Sequence, residues 1–360
     1  MNATKCLHTD RQAHAKGMCK SCHRRSLEKP IPPKVSSPEE ILPRLVKITR
    51  KGPLSVEDTC NKFDISPKRL ATIISEARGK GIRIDLREGQ VGYRPASEAL
   101  GEQKIVIPGA GPERSFAVAS DIHVGSEFFL VDQFQDFVHR AYDKGIRLVL
   151  VPGDILDGCY RHSRWEETHS GFQAQAEYAV KVFPKLPGLV YRGITGNHDQ
   201  TFEADSGLSV VHSLPEVFRS AGRDDFHLYG ARGAYLRLHN EGEARGLLVE
   251  LWHPLKGGSY ALSYSLQKHV EKYGVGQKPD VLLTGHWHQQ CYFTTRGVHA
   301  LSCGTWHGGQ SSFGKSLGGA PAIGGWTIRY ALTKDGTVRD FSPTWHAYYE
   351  KETVRKVGLG

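Results

Sequence analysis

The sequence predicts an α/β protein built on an open sheet, with a small helical module ahead of it. Three observations carry this. Apolar runs of strand length recur between residues 115 and 284, and each closes on a short cluster rich in Asp, Asn or His. Between two of these runs, Gln173 to Phe183 has the composition of a helix. Positive charge is segregated: residues 1–100 carry 20 Lys and Arg against 11 Asp and Glu, while the whole chain carries 47 against 38, so the entire excess of +9 lies ahead of the apolar runs.

Residues 1–29 read as a metal knuckle. Cys6 and His8 are followed by Cys19 and Cys22, four soft or borderline donors in a segment too short to bury a core, so a structural zinc would supply its folding energy. The single residue between Cys6 and His8 is closer spacing than usual and leaves His14 or His23 open as the fourth ligand. Cys19 to His23 also has the Cys-x-x-Cys-His spacing of c-type haem attachment, and a metal-free basic arm is the remaining alternative. Arg24 and Arg25 place charge directly after the donors. The segment resembles short zinc fingers of some phage-type proteins.

Residues 30–37 carry three prolines and read as a linker. Residues 38–95 read as three helices and a hairpin. Ser37-Pro38-Glu39-Glu40 opens the first helix, with Ser at the cap and Pro at the first position. Leu54-Ser55 begins the second, and the third runs over about 67–80 with Leu70, Ile73, Ile74 and Ala77 on one side. Lys68, Arg69, Arg78 and Lys80 lie on its other side. Ile82 to Leu86 and Val91 to Arg94 alternate as two strands around Glu88-Gly89. This order resembles a winged helix-turn-helix, in which the third helix enters the DNA major groove. Winged helices also serve as protein-docking modules, and an unrelated helical cap is a third possibility. Residues 96–113 read as a connector.

The remaining residues, 114–350, hold the chemistry. Residues 115–120 lead into Asp121-Ile122-His123, Arg147 to Pro152 into Gly153-Asp154, and Leu189 to Ile194 into Gly196-Asn197-His198-Asp199. Gly246 to Trp252 leads into His253, and Asp280 to Thr284 into Gly285-His286-Trp287-His288. Open α/β sheets bind ligands just past the carboxyl ends of their strands, where these clusters fall. Asp121, His123, Asp154, Asn197, His253, His286 and His288 are seven hard or borderline donors. Seven exceed what one catalytic metal with an open position takes, and suit two metals that share a ligand. Two adjacent divalent ions clamp the attacking and leaving oxygens of a phosphoryl transfer, so phosphoester hydrolysis leads.

The five motifs in this order resemble the calcineurin-like metallophosphoesterase superfamily. The resemblance implies a four-layer αββα sandwich with a dimetal site at one edge. It implies Asp121, His123, Asp154 and His288 on one metal and Asp154, Asn197, His253 and His286 on the other, Asp154 bridging. It also implies that His198 protonates the leaving group or stabilises the transition state, and that Asp199 orients its neighbours. Oxygen and imidazole donors suit manganese, iron or zinc, manganese being the first to test.

A basic segment beside a neutral domain points to a polyanion partner, most simply DNA, with a merely solubilising face as the bland alternative. The expected function is a DNA phosphodiesterase, an endo- or exonuclease. The alternatives are a phosphatase or small-molecule phosphodiesterase with a regulatory N-terminal part, or a DNA-binding regulator without catalysis. The sequence holds no run of eighteen apolar residues, so neither a membrane span nor a lipid partner is expected. Seven cysteines, an odd number with four of them isolated, and no apolar leader pattern point to a reduced, cytoplasmic chain. Oligomeric state is not legible. Gly304 to Gly325 is Gly-rich and reads as a rim beyond His288, while Trp306, Trp326 and Trp345 read as core.

Overall fold

A computed structural model describes residues 13–15, 18–19, 38–49, 52–79, 82, 84–87, 89–93, 103–106, 113–160, 164–239, 245–255, 261, 263–274, 278–309 and 320–349. Cys6, His8, Cys22, Arg24, Arg25 and Lys80 lie outside the described residues. Cys19 is placed through its backbone, in β2 (Met18–Cys19), which pairs antiparallel with β1 (Ala13–Ala15).

The helical module comprises α1 (Pro38–Thr49), β3 (Leu54–Ser55), α2 (Val56–Phe63), α3 (Pro67–Gly79), β4 (Ile84–Arg87) and β5 (Gln90–Tyr93). The sequence places the start of the second helix at Leu54. Instead Leu54 and Ser55 pair with Val91 and Gln90, giving an antiparallel sheet in the order β3-β5-β4. Ser55 then caps α2, its hydroxyl accepting from the Asp58 amide at 2.9 Å. The apolar stripes meet as expected: Ile41 and Leu45 of α1 are buried with Leu70, Ile73 and Ala77 of α3 and Val91 of β5. The module leans on the rest of the protein through Val46, which packs against Gly207, and through an antiparallel bridge from Ile82 to Leu208.

Two six-stranded mixed sheets follow. The first has the order β10-β9-β8-β7-β16-β17, with β7 (Glu113–Val118), β8 (Leu148–Pro152), β9 (Val190–Thr195), β10 (Phe226–Ala231), β16 (Gly324–Leu332) and β17 (Val338–Ala347). Strands β7 to β10 run parallel, and β16 pairs antiparallel with β7. The second has the order β14-β15-β13-β12-β11-β6, with β6 (Gln103–Val106), β11 (Gly233–His239), β12 (Leu247–Trp252), β13 (Val281–Thr284), β14 (Gln290–Thr295) and β15 (Val298–Cys303). The expected connector at 96–113 therefore contains a strand. Gln103 to Val106 pairs parallel with β11 and forms the sheet edge.

Layering follows from the burial pattern. Phe116, Val118, Leu150 and Ile194 of the first sheet share one core with Leu236, Val249, Leu251, Leu283 and Leu301 of the second. The other face of the first sheet, through Ala117, Val149 and Val151, packs under α4 (Val131–Asp143), α5 (Gly171–Val182) and α7 (Val210–Ser220), joined in the same core by Phe202 of α6 (Gln200–Ser206). Leu282 and Ala300 of the second sheet face outward onto Leu266 and Val270 of α8 (Tyr264–Glu271). Period-2 alternation thus feeds a different layer on each side of each sheet, giving helix, sheet, sheet, helix. Trp306 and Trp326 are buried as expected, and Trp345 packs partly buried against the inter-sheet core. Among the described residues no helix is long and apolar enough to cross a membrane.

Candidate metal centre

Five strands end at one edge and hand their next residues to a common site. Asp121 and His123 follow β7, Asp154 follows β8, Asn197 follows β9, His253 follows β12, and His286 and His288 follow β13. The first three strands are parallel neighbours in one sheet and the last two are parallel neighbours in the other. Within each sheet their carboxyl ends therefore point the same way.

The backbone at these ends is strained. Eight non-glycine residues have positive φ among the described residues, and five of them are Asp121, His123, Asp154, His286 and His288. Left-handed backbone at such residues costs about 1–3 kcal/mol each and persists where the surroundings over-determine it, typically at functional sites. The loops are also pressed together. A Cβ on Gly196 would sit 2.1 Å from Asp154 Oδ1, and one on Gly153, at φ +101°, would sit 2.4 Å from His253 Nδ1. Only glycine lets these three loops approach so closely.

The donor atoms converge. Those of Asp121, His123 and His288 lie within 4.8 Å of one another, as do those of Asp154, His253 and His286. Asp154 also lies within that distance of His123 and His198, so its carboxylate stands between the two groups. His123 Nε2 is 3.2 Å from His288 Nε2, and His288 Nε2 is 3.4 Å from Asp121 Oδ1. His253 Nε2 is 3.1 Å from Asp154 Oδ2 and 3.1 Å from Asn197 Oδ1.

Surrounding groups fix which atoms point inward. His253 Nδ1 is 2.8 Å from the Pro152 carbonyl, which can only accept, so Nδ1 carries the hydrogen and Nε2 faces the carboxylate. His123 Nδ1 is held in the same way by Asp157 at 3.2 Å. The Asn197 amide nitrogen donates to Tyr160 Oη at 3.2 Å, which turns its oxygen toward His253. Asp121 accepts from Ser120 Oγ at 2.6 Å and from the His286 amide at 2.8 Å.

Protonation follows burial and neighbours. Burial, together with His198, His307 and His288, holds His123 well below the usual imidazole range. Burial would raise Asp154, but His253 and His198 outweigh it and hold the carboxyl below its ordinary range. Burial likewise opposes charge on His253, but Asp154 prevails and raises it to about 9. Burial pushes Asp157 up to about 7 against the pull of His198, and burial with Asp154 pushes Asp199 to about 7.

His198 stands beside the seven donors. Its Nδ1 is 2.7 Å from the Asp157 carbonyl, and its amide donates to Asp154 Oδ1 at 2.8 Å. Its ring lies edge-on to His123 at 4.3 Å and to Tyr160 at 4.8 Å. Asp199 is wholly buried and accepts from the amides of Gly196, Leu156 and Ile155 at 2.8, 2.8 and 3.2 Å. It ties the loop after β9 to the loop after β8.

Three neighbours were not singled out as site residues from the sequence. Asp157 and Tyr160 hold His123 and Asn197, as above. His307 is buried, 3.1 Å from Ser126 Oγ, with its ring 4.8 Å from His123 and 6.0 Å from His288. Burial, with His288 and His198, lowers it to about 3. The segment expected to be an outer rim begins as a buried strap: Thr305 Oγ1 and the Trp306 amide both donate to the Asp121 carbonyl, at 2.8 and 3.0 Å. The only signal for His307 in the sequence was its place in a Gly-rich stretch beyond His288. Of the expected DNA contacts, Lys68 and Arg69 are exposed at the start of α3, and Arg78 is placed through its backbone alone.

Residues 114–290 match the calcineurin-like phosphoesterase family. The chain is 27% identical over 254 residues to the DNA polymerase II small subunit of Methanothermobacter thermautotrophicus, covering 59% of this chain and 52% of that protein. It is 25% identical over 267 residues to the DNA polymerase II small subunit of Halobacterium salinarum, covering 63% and 50%. The chain thus spans about half the length of these relatives. Among solved structures it is similar to an archaeal phosphodiesterase at 12% identity and a TM-score of 0.35, covering 65% of this chain and all of that one.

Proposed function

We propose, from the premise that residues 114–290 are of the calcineurin-like phosphoesterase family, that this protein is a two-metal phosphodiesterase acting on DNA. The observation that carries hydrolysis is the convergence of seven donors from five strand ends around Asp154, several of them on left-handed backbone. The donor set fits two divalent ions. Asp121, His123, Asp154 and His288 would hold one, and Asp154, Asn197, His253 and His286 the other. Manganese, iron or zinc bound there would polarise the phosphoryl group and lower the pKa of an attacking water.

The chain's own residues do the rest. Pro152 O and Asp157 fix the tautomers of His253 and His123, so that each Nε2 faces the other donors of the cluster. Asp199 holds two loops in register. His198, with Nδ1 committed to the Asp157 carbonyl, presents Nε2 as the atom that delivers a proton to the leaving oxygen.

DNA as substrate is supported by the excess of basic charge in residues 1–100 and by the helix and strand order of the module, which fits a winged helix with Lys68 and Arg69 exposed. A structural zinc at Cys6, His8, Cys19 and Cys22 completes this reading of the N-terminal region. The name of the relatives favours a second reading, an accessory subunit of a DNA-synthesis complex.

Chelation and reconstitution test the proposal. The apo-protein should be inactive on plasmid, linear duplex and single strands, and manganese should restore cleavage of at least one. Asp154→Asn should abolish turnover and lower metal content, since its carboxylate stands between both groups. Wild-type turnover by that variant at controlled metal concentration would sink the two-metal assignment. Intact metal sites with no hydrolysis of any of these DNAs would favour the accessory-subunit reading.

A further inference from the structure

Beside the donor cluster lies a cleft of about 480 Å³, within the size range of small-ligand sites. It shares His253 with the cluster and extends across β12 and α8. Its described lining includes Arg232, Lys268 and Lys272 and no carboxylate. Arg232 sits at the turn between β10 and β11, with φ +64°. Its amide donates to the Thr195 carbonyl at 2.8 Å and its carbonyl accepts from the His253 amide at 2.9 Å, so it is fixed to the site through its backbone. Its Nε is buried without a hydrogen-bond partner among the described residues. A buried guanidinium nitrogen left unmatched is costly, and an anion is its natural complement.

The other walls are aromatic. Trp252 and Trp287 meet edge to face at 5.8 Å. Trp252 is stacked on His269 at 3.8 Å, and His269 and Tyr273 are both tied to the buried Glu250. That network holds the indole in place before anything binds. At the mouth, Leu255 and Tyr264 are 60% and 48% exposed, two of the few large apolar side chains left open to solvent among the described residues. Rigid aromatic faces bordered by cations are what a base and its phosphates require, and a base in a duplex has no free face to offer.

We propose that this cleft takes an unpaired nucleotide next to the scissile phosphate of a single-stranded nucleic acid, its base against Trp287 and Tyr264 and its phosphates on Arg232, Lys268 and Lys272. The proposal rests on the phosphodiesterase reading and narrows its substrate. Lys268 and Lys272 are exposed on or just beyond α8, so reversing them leaves the core untouched.

The test uses the full-length, chelated protein and an oligothymidylate carrying 5-iodouracil. Photo-crosslinks should map to Trp252, Tyr264 or Trp287. Lys268→Glu with Lys272→Glu should weaken binding roughly tenfold at low salt, and an abasic strand of equal length should bind more weakly than the oligothymidylate. Absence of crosslinks to all three aromatics, an unchanged affinity of the double variant, or an abasic strand that binds equally well would each overturn the proposal. Turnover of bis(p-nitrophenyl) phosphate by the unsubstituted, manganese-loaded protein tests the diesterase reading separately, since that substrate carries no base.

Discussion

His198 and His253 illustrate how little residue type alone assigns. Both imidazoles have Nδ1 against a backbone carbonyl, at 2.7 Å from Asp157 and 2.8 Å from Pro152. Both therefore present Nε2. The difference lies in what that atom meets. His253 Nε2 faces Asp154 and Asn197 oxygens, whereas the His198 ring, although its donor atom lies within 4.8 Å of those of His123 and Asp154, packs edge-on against His123 and Tyr160. His198→Ala should lose roughly 10²–10⁴-fold in kcat, the usual range for a general acid, while still binding two metals per chain. Elemental analysis that finds one metal missing would show His198 to be a ligand instead. Gly196 belongs to the same scale. Its lack of a Cβ is what lets Asp154 reach the middle of the site.

At the scale of elements, the strand ends were legible because each apolar run stops at a turn-forming cluster. Boundaries moved by only a few residues, as with Gln173 to Phe183, which is helical from Gly171 to Val182. Short pieces were not legible. Leu54–Ser55 and Gln103–Val106 are strands because a partner, β5 or β11, offers its edge, and two to four residues carry no period of their own. The β1–β2 hairpin has the same character, placing Cys19 on a strand end. The zinc proposed there has a separate test. Cys19→Ser with Cys22→Ser should release one zinc and leave the catalytic ions bound, as read by elemental analysis against the unsubstituted protein. Zinc content equal in the two proteins would remove the knuckle assignment.

At the scale of the whole molecule, the helical module rests on the segment that follows the His198 loop, through Val46 on Gly207 and Ile82 beside Leu208. The module is thus in contact with the domain that carries the metal centre. A truncation that tests delivery to DNA must begin ahead of Gln103, because a cut inside the expected 96–113 connector would remove the edge strand β6. A protein starting near residue 100 should keep hydrolysis of a small chromogenic diester and lose most of its affinity for duplex DNA. Lys68→Glu with Arg69→Glu should reproduce that loss in the full chain, with a shallower salt dependence, since each cation withdrawn from a phosphate releases one counterion fewer. Equal duplex binding by truncated and intact protein at physiological salt would transfer the module to a protein-docking role.

The sequence by itself showed the strand-length runs of an open α/β sheet and seven candidate donors, because strand-length runs and strand-end clusters are local in the chain, while the four-layer plan was implied only by the family resemblance. It did not single out Asp157, Tyr160 and His307 as parts of the site, since their roles depend on contacts across 34, 37 and 181 residues. It did not show that Thr305 and Trp306 strap the Asp121 carbonyl, or that Arg232 and two lysines border one cleft with two tryptophans. Those facts arise only when two sheets stack with five strand ends at one edge. Proximity there is set by sheet order and loop packing, which no window of sequence contains.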